Sequence, residues 1–345
     1  MSRTEPVAGG AATVAEGYFA RVAALDEPGA LDLVHHALRE GVDPESLLLD
    51  VIAPCQMRVG LGWQSNDWTV ADEHAATHIG DRAIGVVVEH GAERTPARGR
   101  IVVACVDGEW HGLPARLLGE VLRLHGWDVE FLGTSVPTRR LTLHLQERPA
   151  DLLALSCSLP THLVNAHGMI TAARRMGVPV IVGGAGFGPD DTIATRLGAE
   201  LWAADARRAA ALLADGVPEL RPWDRTAVPA PSAEYASVVR LRGHLVRVGV
   251  EHARTTYAAL GRDLRGKALD RTVEDLGHIT SFLTVSLYLD DAAVFTRFLR
   301  WTRMVLDARG VPTASLLAVM GRLESELGDH PDTLTHLREG VRVLG

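Results

Sequence analysis

Lysine is almost missing from this chain: among its 35 basic residues Lys267 is the single lysine, and the others are arginines. A Schiff-base mechanism would rest on that one amine, which lies in a polar, loop-like segment where solvation accounts for it. The three cysteines, Cys55, Cys105 and Cys157, are too scattered in sequence for a disulfide framework or a zinc site. We therefore expect neither lysine-based covalent catalysis nor structural cross-links.

Long apolar runs and basic runs are missing as well. No apolar run reaches the about 18 residues that a transmembrane helix needs, and the N-terminus lacks the charged-then-apolar pattern of a secretion signal. Acidic side chains outnumber basic ones, 43 against 35, for a net charge of −8. This balance gives no electrostatic reason to expect nucleic acid. We expect a cytoplasmic, soluble protein that binds neither membranes nor nucleic acid.

The chain has enough apolar material, 47% of its 345 residues, for two or three packed domains. Four helical patterns with short connections come first, which predicts a small bundle. Apolar strands then alternate with helices, which predicts a doubly wound, Rossmann-like parallel sheet (α/β), and the last part is all-α. We predict a disordered tail (1–12), a four-helix bundle (13–92), an α/β domain (98–218), a linker (219–233) and a helical domain (234–345).

The first strand of the α/β domain leads into the sequence VDGEWHGLPAR, residues 106–116. A histidine in a loop after a parallel strand lies at the edge where open α/β sheets bind ligands. His111 offers an imidazole to a metal, and Glu109 can accept the second ring N–H and fix the ring's orientation. Taken alone, the E-x-H spacing also fits an ordinary loop histidine, so the interpretation depends on the neighbouring loops.

Two further strands end in SCSL (156–159) and GGAG (183–186). The order E-x-H-x-x-P, S-x-S-L, GG resembles the cobalamin-binding domain, whose usual motif is D-x-H-x-x-G, S-x-L, GG. The resemblance implies that His111 is the lower axial cobalt ligand. It also implies that Ser156 and Ser158 hydrogen-bond the base of the corrinoid's nucleotide tail, and that Gly183 and Gly184 leave room for that tail. Glutamate and proline, at positions 109 and 114, match the loop of CarH/LitR photoreceptors. The residues assigned to cobalamin here are Glu109, His111, Gly112, Leu113, Ser156, Ser158, Leu159, Gly183, Gly184 and Gly186.

The junction between the third and fourth predicted helices carries a second group of residues. Two tryptophans near a helix start can simply cover the core of a bundle. However, the segment resembles the W…V-x-x-E-H pattern of the helical cap in CarH/LitR proteins. The resemblance implies that this cap closes over the upper face of adenosylcobalamin, with tryptophan on the adenosyl group and glutamate on its ribose. The residues so assigned are Trp63, Trp68, Val70, Glu73 and His74.

One position departs from that pattern. Gln64 stands where the best-known family member has a histidine, and an amide is a poor cobalt ligand compared with imidazole. We therefore expect the upper ligand after illumination to be water or another histidine, with His74 the nearest candidate.

The C-terminal domain carries arginines and aromatics on two predicted helices. Arginines three apart form an ordinary solvated helix face, but they also suit carboxylates in a cofactor crevice. The three-part architecture resembles photocobilins, which pair cobalamin with biliverdin, and no cysteine follows Cys157, so a bilin would bind non-covalently. The residues assigned to the bilin are His278, Tyr288, Arg297, Arg300 and Trp301.

These features together predict a light sensor and not an enzyme. We expect adenosylcobalamin to bind base-off with His111 on cobalt, and photolysis of the Co–C bond to drive a change in assembly. The signalling partner would be a second copy of the chain or another protein. The alternatives are a corrinoid methyl-carrier protein of a methyltransferase system and a cobalamin sensor indifferent to light. A mutase is disfavoured because no barrel domain of around 250 residues is present.

Overall fold

In the computed structural model of the chain, the described residues are 8–90, 98–222, 231–259 and 264–344. The chain divides into two units, residues 1–223 and residues 224–345. The first unit contains a helical bundle and a parallel sheet, and the second is helical throughout its described residues. No helix within these described ranges is long and apolar enough to cross a membrane.

The N-terminal bundle consists of helices joined by short loops. They are α1 (Ala8–Ala23), α2 (Glu27–Arg39), α3 (Pro44–Ser46), a π-helical turn (Leu47–Ile52) that runs directly into α4 (Ala53–Gln64), and α5 (Val70–His90). The carboxylate of Asp43 accepts the Ser46 N–H at 2.9 Å and begins α3. At the start of α5, Thr69 and Asp72 bind each other's backbone N–H groups, at 3.0 and 3.2 Å. Side-chain caps thus fix where both helices begin.

Helix α1 begins earlier than expected. The prediction of a disordered tail over residues 1–12 is wrong for residues 8–12, which lie in this helix. Three of these five residues are alanines, whose high helix propensity outweighs the two glycines beside them. Parts of four predicted segments lie outside the described residues: 1–7 of the tail, 91–92 of the bundle, 223–230 of the linker, and 260–263 and 345 of the helical domain.

The α/β domain contains a sheet of five parallel strands in the order β2-β1-β3-β4-β5. The strands are β1 (Arg100–Cys105), β2 (Asp128–Phe131), β3 (Leu152–Ser156), β4 (Val180–Gly183) and β5 (Leu201–Ala203). The connecting helices are α6 (Gly112–Leu124), α7 (Thr138–Glu147), α8 (Leu163–Arg175) and α9 (Thr192–Arg196), and α10 (Ala206–Leu212) follows β5. Because right-handed crossovers run outward in both directions from β1, helices cover both faces. The predicted doubly wound α/β fold is confirmed.

The strand register determines which loops meet. The last residues of three neighbouring strands, Cys105, Ser156 and Gly183, pair with one another across the sheet. The loops that follow β1, β3 and β4 therefore start side by side at one edge. This is the edge at which open parallel sheets bind their ligands.

The second unit confirms the predicted all-α domain. Its helices are α11 (Ala233–Ala259), α12 (Gly266–Leu289), α13 (Ala292–Ala308), α14 (Thr313–Glu326) and α15 (Pro331–Arg342). Between α12 and α13, the rings of Phe282 and Phe298 stack with centroids 3.8 Å apart. Between α12 and α15, the buried Ser286 hydroxyl lies 3.0 Å from Nδ1 of His336. These contacts connect helix α12 to α13 and to α15.

A buried carboxylate joins two loops of the first unit. Glu109, in the loop after β1, is fully buried. Its Oε2 accepts the backbone N–H groups of Ser158 and Leu159, at 2.6 and 3.0 Å, from the loop after β3. Burial by itself raises the pKa of Glu109, but hydrogen bonds from His111 and Ser158 outweigh it and lower that pKa to about 2. The ionised carboxylate is therefore part of the folded structure.

The lowered pKa of Glu109 predicts an acid-sensitive contribution to stability. The unfolded carboxyl binds a proton near pH 4.5 and the folded one near pH 2. The stabilisation, about 3 kcal/mol, is thus complete above the unfolded pKa and is lost as pH falls towards 2. We expect Glu109→Gln to lack this stabilisation at every pH. The difference in unfolding free energy between wild type and variant should therefore narrow by about 2 kcal/mol from pH 6 to pH 3.

Urea unfolding followed by circular dichroism measures this gap, with Glu89→Gln, at an exposed helix position, as the control. A gap that stays constant with pH would contradict the role given to the ionised carboxylate.

Candidate functional site

The loop after β1 presents one imidazole to solvent. His111 occupies the N-cap position of α6, and its side chain is 56% exposed. Its Nδ1 lies 2.5 Å from Oε1 of Glu109, which also accepts the His111 backbone N–H at 2.9 Å. Among the described residues, Nε2 has no hydrogen-bond partner. The buried carboxylate thus fixes the tautomer and orientation of the ring and leaves one nitrogen open.

The electrostatics of this ring follow from the same contact. The hydrogen bond to Glu109 is the largest cause that raises the pKa of His111; partial burial opposes it. The charges of Glu109 and of Glu73, from the bundle, raise that pKa further. A carboxylate on Nδ1 makes the opposite nitrogen a stronger electron-pair donor to a metal. His111 is therefore both oriented and chemically prepared for a metal ligand role.

The structure also limits what kind of metal centre this can be. Within the described part of the chain, no group of three or more His, Cys, Asp or Glu side chains could hold a metal ion. A corrinoid would not need such a group, because its own ring nitrogens would hold the cobalt and one imidazole of the chain would complete the site. A single open histidine fits this cofactor, since imidazole is a suitable ligand for cobalt.

The glycines at the end of β4 are required by contacts within the chain itself. The resemblance implied only that Gly183 and Gly184 leave room for the corrinoid tail. In the structure Gly184 has φ +98, and a Cβ there would collide with the carbonyl oxygen of Cys157. A Cβ at Gly186 would lie 2.8 Å from the same oxygen, and one at Gly183 would lie 2.8 Å from the oxygen of Ala203. The chain's own close approach at this edge requires all three glycines.

The two predicted serines lie on either side of the buried Cys157. Ser156 ends β3 and is buried, and its carbonyl oxygen accepts the N–H of Val106 at 3.0 Å. The backbone N–H groups of Ser158 and Leu159 donate to the carboxylate of Glu109. Contacts of the serine hydroxyls with a nucleotide tail stay a prediction.

The bundle places its predicted residues at the α4–α5 junction. Trp68 packs on Gly62, where a Cβ would lie 2.7 Å from the indole Cδ1, so this tryptophan shapes the loop itself. Trp63 lies in the last turn of α4 and is partly buried. In the first turn of α5, Val70 is 57% exposed and the side chain of His74 is 73% exposed. An exposed valine beside these indoles is an apolar surface available to a ligand.

Two polar side chains at this junction have defined partners. The Thr77 hydroxyl donates to Oε1 of Glu73 at 3.0 Å. Nδ1 of His74 lies 2.7 Å from the Val70 carbonyl oxygen, to which it donates. Glu73 is therefore held by its own helix, and the remaining ring nitrogen of His74 faces away from that contact.

Helix α5 brings this junction towards His111. Gly80 meets Leu113 at the start of α6, where an added Cβ would lie 3.3 Å from the leucine Cδ1. One turn further along α6, Arg116 donates to the carbonyl oxygen of Asp81 at 2.9 Å and also pairs with its carboxylate. The negative charge of Glu73 also contributes to raising the pKa of His111. The two groups of residues predicted for cobalamin therefore lie on parts of the chain that pack against each other, and their contact with the cofactor stays a prediction.

Sequence reasoning missed residues that the structure adds to this site. Trp110, between Glu109 and His111, is 73% exposed and was not assigned. An aromatic in a ligand-binding loop is a signal that the sequence did contain. Ser135, in the loop after β2, contacts the backbone of Gly108 and Glu109, and no sequence pattern points to it. Gly112 packs against the neighbouring loop as well, since a Cβ there would lie 2.7 Å from Cγ2 of Thr134.

In the second unit, the five residues predicted for a bilin do not form one cluster. The Phe282–Phe298 stack makes α12 and α13 antiparallel neighbours, so His278 lies near the level of Trp301. Tyr288 is ten residues further along α12, about 15 Å away, and packs on Tyr235 with ring centroids 5.2 Å apart. Tyr288 therefore lies apart from His278 and Trp301, and its assignment to a bilin stays a prediction.

The two arginines predicted to bind a bilin lie on α13, away from the Tyr288–Tyr235 contact. Arg297 and Arg300 are exposed on α13, and Trp301 is 38% exposed beside them. His278 is exposed on α12. Four of the five residues are thus exposed on α12 and α13.

Comparisons with known proteins match the two parts of the first unit separately. Residues 99–212 match the family described as B12 binding domain, and residues 14–87 match a second family with the same description. The first region includes β1 to β5 and the loop of His111. The second includes most of the bundle, with Trp63 and Glu73.

Individual relatives come from two kinds of protein. The transcriptional repressor CarH of Myxococcus xanthus is 30% identical over 197 residues, covering 56% of this chain and 64% of that protein. Trimethylamine corrinoid protein 1 of Methanosarcina acetivorans is 24% identical over 189 residues, covering 53% of this chain and 87% of that protein. A corrinoid protein of Desulfitobacterium hafniense is 24% identical over 191 residues, with 52% and 87% covered.

Among solved structures, the monomethylamine corrinoid protein of Methanosarcina barkeri superposes with a TM-score of 0.53. It covers 59% of this chain and 98% of its own, at 17% identity, which shows a shared fold. The family matches at residues 14–87 and 99–212, together with the open imidazole at the sheet edge, make this chain a cobalamin-binding protein whose cofactor is a cobalt corrinoid.

Proposed function

We propose that this protein is a light sensor, not an enzyme, and that it binds adenosylcobalamin base-off with His111 as the lower cobalt ligand. The observation that carries the proposal is the His111 ring, held at Nδ1 by the buried carboxylate of Glu109 and open at Nε2. The cap pattern of Trp63, Val70 and Glu73, and the 30% identity to the repressor CarH, favour light as the signal.

On the lower side, the residues of the chain fix a single ligand geometry. Glu109 accepts the Nδ1–H of His111 and stays ionised at neutral pH, since its pKa is about 2. The carboxylate would thereby keep the Nε2 lone pair of His111 available to a corrinoid cobalt. Because Glu109 also binds the loop after β3, His111 cannot turn without disturbing that loop.

On the upper side, the bundle acts as a cap. When bound, the cofactor supplies a cobalt–carbon bond that visible light breaks. Trp63 and Val70 provide apolar surface for an adenosyl group, and the Glu73 carboxylate, steadied by Thr77, provides a hydrogen-bond acceptor for its ribose. A ligand shifts a conformational equilibrium only through contacts that differ between the two states. Loss of the adenosyl contacts therefore releases the cap, and the cap changes how the chain assembles with a second copy or a partner protein.

The upper position in the illuminated protein follows from the residues near it. Gln64 offers only an amide, which is a poor cobalt ligand. His74 is exposed, and its Nε2 is not used in the contact with Val70. We propose water or His74 as the upper ligand in that state.

A second candidate function is that of a corrinoid methyl carrier. The relatives from Methanosarcina and Desulfitobacterium match nearly their full length, and the fold similarity is to such a protein. In that case the same His111 site would hold a methylated corrinoid between two partner enzymes, and light would play no part.

We propose in addition that the second unit binds biliverdin non-covalently. Arg297 and Arg300 are exposed on one face of α13, and no ion pair to either is found among the described residues. They lie beside the half-exposed indole of Trp301, with His278 on the adjacent helix. Paired guanidinium groups bind carboxylates well, and an aromatic beside them suits a flat conjugated ligand.

Removal of the imidazole tests the lower ligand. We expect His111→Ala to weaken cobalamin binding by about 100-fold or more, because even indirect partners of metal ligands contribute 10- to 100-fold. Titration followed by the corrinoid's visible absorbance measures the effect. His35→Ala, which removes an exposed histidine on α2, serves as the matched control and should bind normally. Unchanged colour and affinity in His111→Ala would refute the site.

Illumination tests the sensor role. We expect green light to change the absorbance of the adenosylcobalamin-loaded protein and its elution in size-exclusion chromatography. In Trp63→Ala the absorbance change should persist, since light acts on the cofactor, while the elution change should shrink because the cap has lost its contact. An unchanged spectrum after illumination would rule out light sensing. Methyl exchange with a donor enzyme in the dark would establish the carrier function instead.

Reconstitution tests the bilin. We expect biliverdin to give the protein a red-region absorption band, and Arg297→Glu/Arg300→Glu to weaken its binding by about tenfold, as for the loss of roughly 1.4 kcal/mol. The charge-matched control is Arg240→Glu/Arg254→Glu, two exposed positions on α11. Equal affinity of both double variants for biliverdin would exclude the α13 face as the bilin-binding site.

A further inference from the structure

The loop between β2 and α7 runs beside the loop that carries His111. The hydroxyl oxygen of Ser135 accepts the backbone N–H of Gly108 at 3.1 Å. The backbone N–H of Ser135 donates to the carbonyl oxygen of Glu109 at 2.8 Å. One residue therefore holds two consecutive backbone groups of the His111 loop.

The conformation of Ser135 is unusual for its residue type. Its φ is +47, in the left-handed region that residues other than glycine rarely adopt. Such a conformation persists where surrounding contacts determine it, and it clusters at functional sites. Here the contacts that hold it are the two hydrogen bonds to Gly108 and Glu109.

The neighbours of Ser135 extend the contact along the same loop. Cγ2 of Thr134 lies against Gly112, on the other side of His111. The carbonyl oxygen of Gly133 accepts the N–H of Cys105 at 3.0 Å, at the point where the loop begins. The loop after β2 therefore contacts the His111 loop before, beside and after the histidine.

Gly108 has little freedom to move away. Its φ is +88, and a Cβ on it would lie 2.8 Å from Nδ1 of His162, so that ring already packs on its backbone. With His162 on one side and the Ser135 hydroxyl on its N–H, the turn before Glu109 has a fixed position. The side chain of Glu109 is held by the loop after β3, and its main chain is held by the loop after β2.

We propose that Ser135 is a positioning residue for the cobalt ligand: it fixes the backbone from which Glu109 and His111 project, and thereby sets how tightly His111 binds a corrinoid cobalt. This inference rests on the proposed ligation by His111. Removing an indirect partner of a metal ligand typically costs 10- to 100-fold in affinity. Ser135 contacts neither the imidazole nor a metal, so it acts only through the loop.

The test compares Ser135→Ala, Ser135→Gly and Ser135→Asn in the full chain. Alanine removes the hydroxyl and keeps the strained φ, whereas glycine removes the hydroxyl and the strain together. Asparagine supplies a side-chain oxygen and tolerates the left-handed region. We expect the alanine and glycine variants to bind cob(II)alamin about tenfold more weakly. Asparagine should restore most of the affinity. Thr142→Ala, which removes a hydroxyl hydrogen bond within α7, is the control.

A spectroscopic readout separates positioning from simple loss of stability. In protein labelled with ¹⁵N-histidine, electron paramagnetic resonance of bound cob(II)alamin shows doublet splitting when His111 ligates cobalt and triplet splitting when the cofactor's own base does. We expect the doublet fraction to fall in the alanine and glycine variants and to recover with asparagine. Circular dichroism confirms folding, and if the alanine variant does not fold, the unstrained glycine variant gives the answer.

The outcomes are distinguishable. If His111→Ala also retains the doublet, ligation by His111 is refuted and the proposed function fails with it. If His111→Ala loses the doublet while the alanine and glycine variants of Ser135 keep wild-type affinity and the full doublet, the role of Ser135 is overturned and the proposed function stands.

Discussion

The ionised, fully buried Glu109 is the interaction on which the rest of this site depends. A carboxylate withdrawn from water is unfavourable unless its oxygens are occupied by donors. Here four N–H groups meet it, three from the backbone of positions 111, 158 and 159 and one from the ring of His111. Those donors come from two different strand ends, so the carboxylate can be satisfied only when the parallel sheet has formed. The fold and the orientation of the imidazole are therefore established together.

The bundle and the sheet also meet where this loop enters α6. The carboxylate of Glu109, from the same loop, and the charge of Glu73, from the bundle, both raise the pKa of the His111 imidazole. Helix α5 reaches this position because it packs on the start of α6 through Gly80 and through the Arg116–Asp81 pair. A ligand bound between the two parts would contact both, and a change in that ligand would alter the balance between them.

Much of this arrangement could be predicted from the sequence. Strands that end in E-x-H, S-x-S-L and GG must place those motifs together once the strands are parallel and in register. The alternation of strand and helix patterns predicts that register. Helix ends were predictable where a side-chain cap marks them, as at Asp43 and Thr69.

Other features depend on contacts between segments far apart in sequence. Gly184 and Gly186 are required by the carbonyl of Cys157, a contact that the sequence does not reveal. Ser135 binds Gly108, which is 27 positions away, and no pattern in the sequence around Ser135 marks it. Tyr288 was grouped with Trp301 by residue type, but the length of α12 separates them. The start of α1 was missed because glycines at its first turn hid the helix propensity of the alanines.

A crystal structure of the adenosylcobalamin-bound protein tests the proposed ligation by His111 most directly. That ligation predicts Nε2 of His111 bonded to cobalt, Nδ1 still on Glu109, and the cofactor's own base displaced from the metal into the sheet edge. A structure in which that base remains on cobalt, with the His111 ring turned away from the corrinoid, would contradict it.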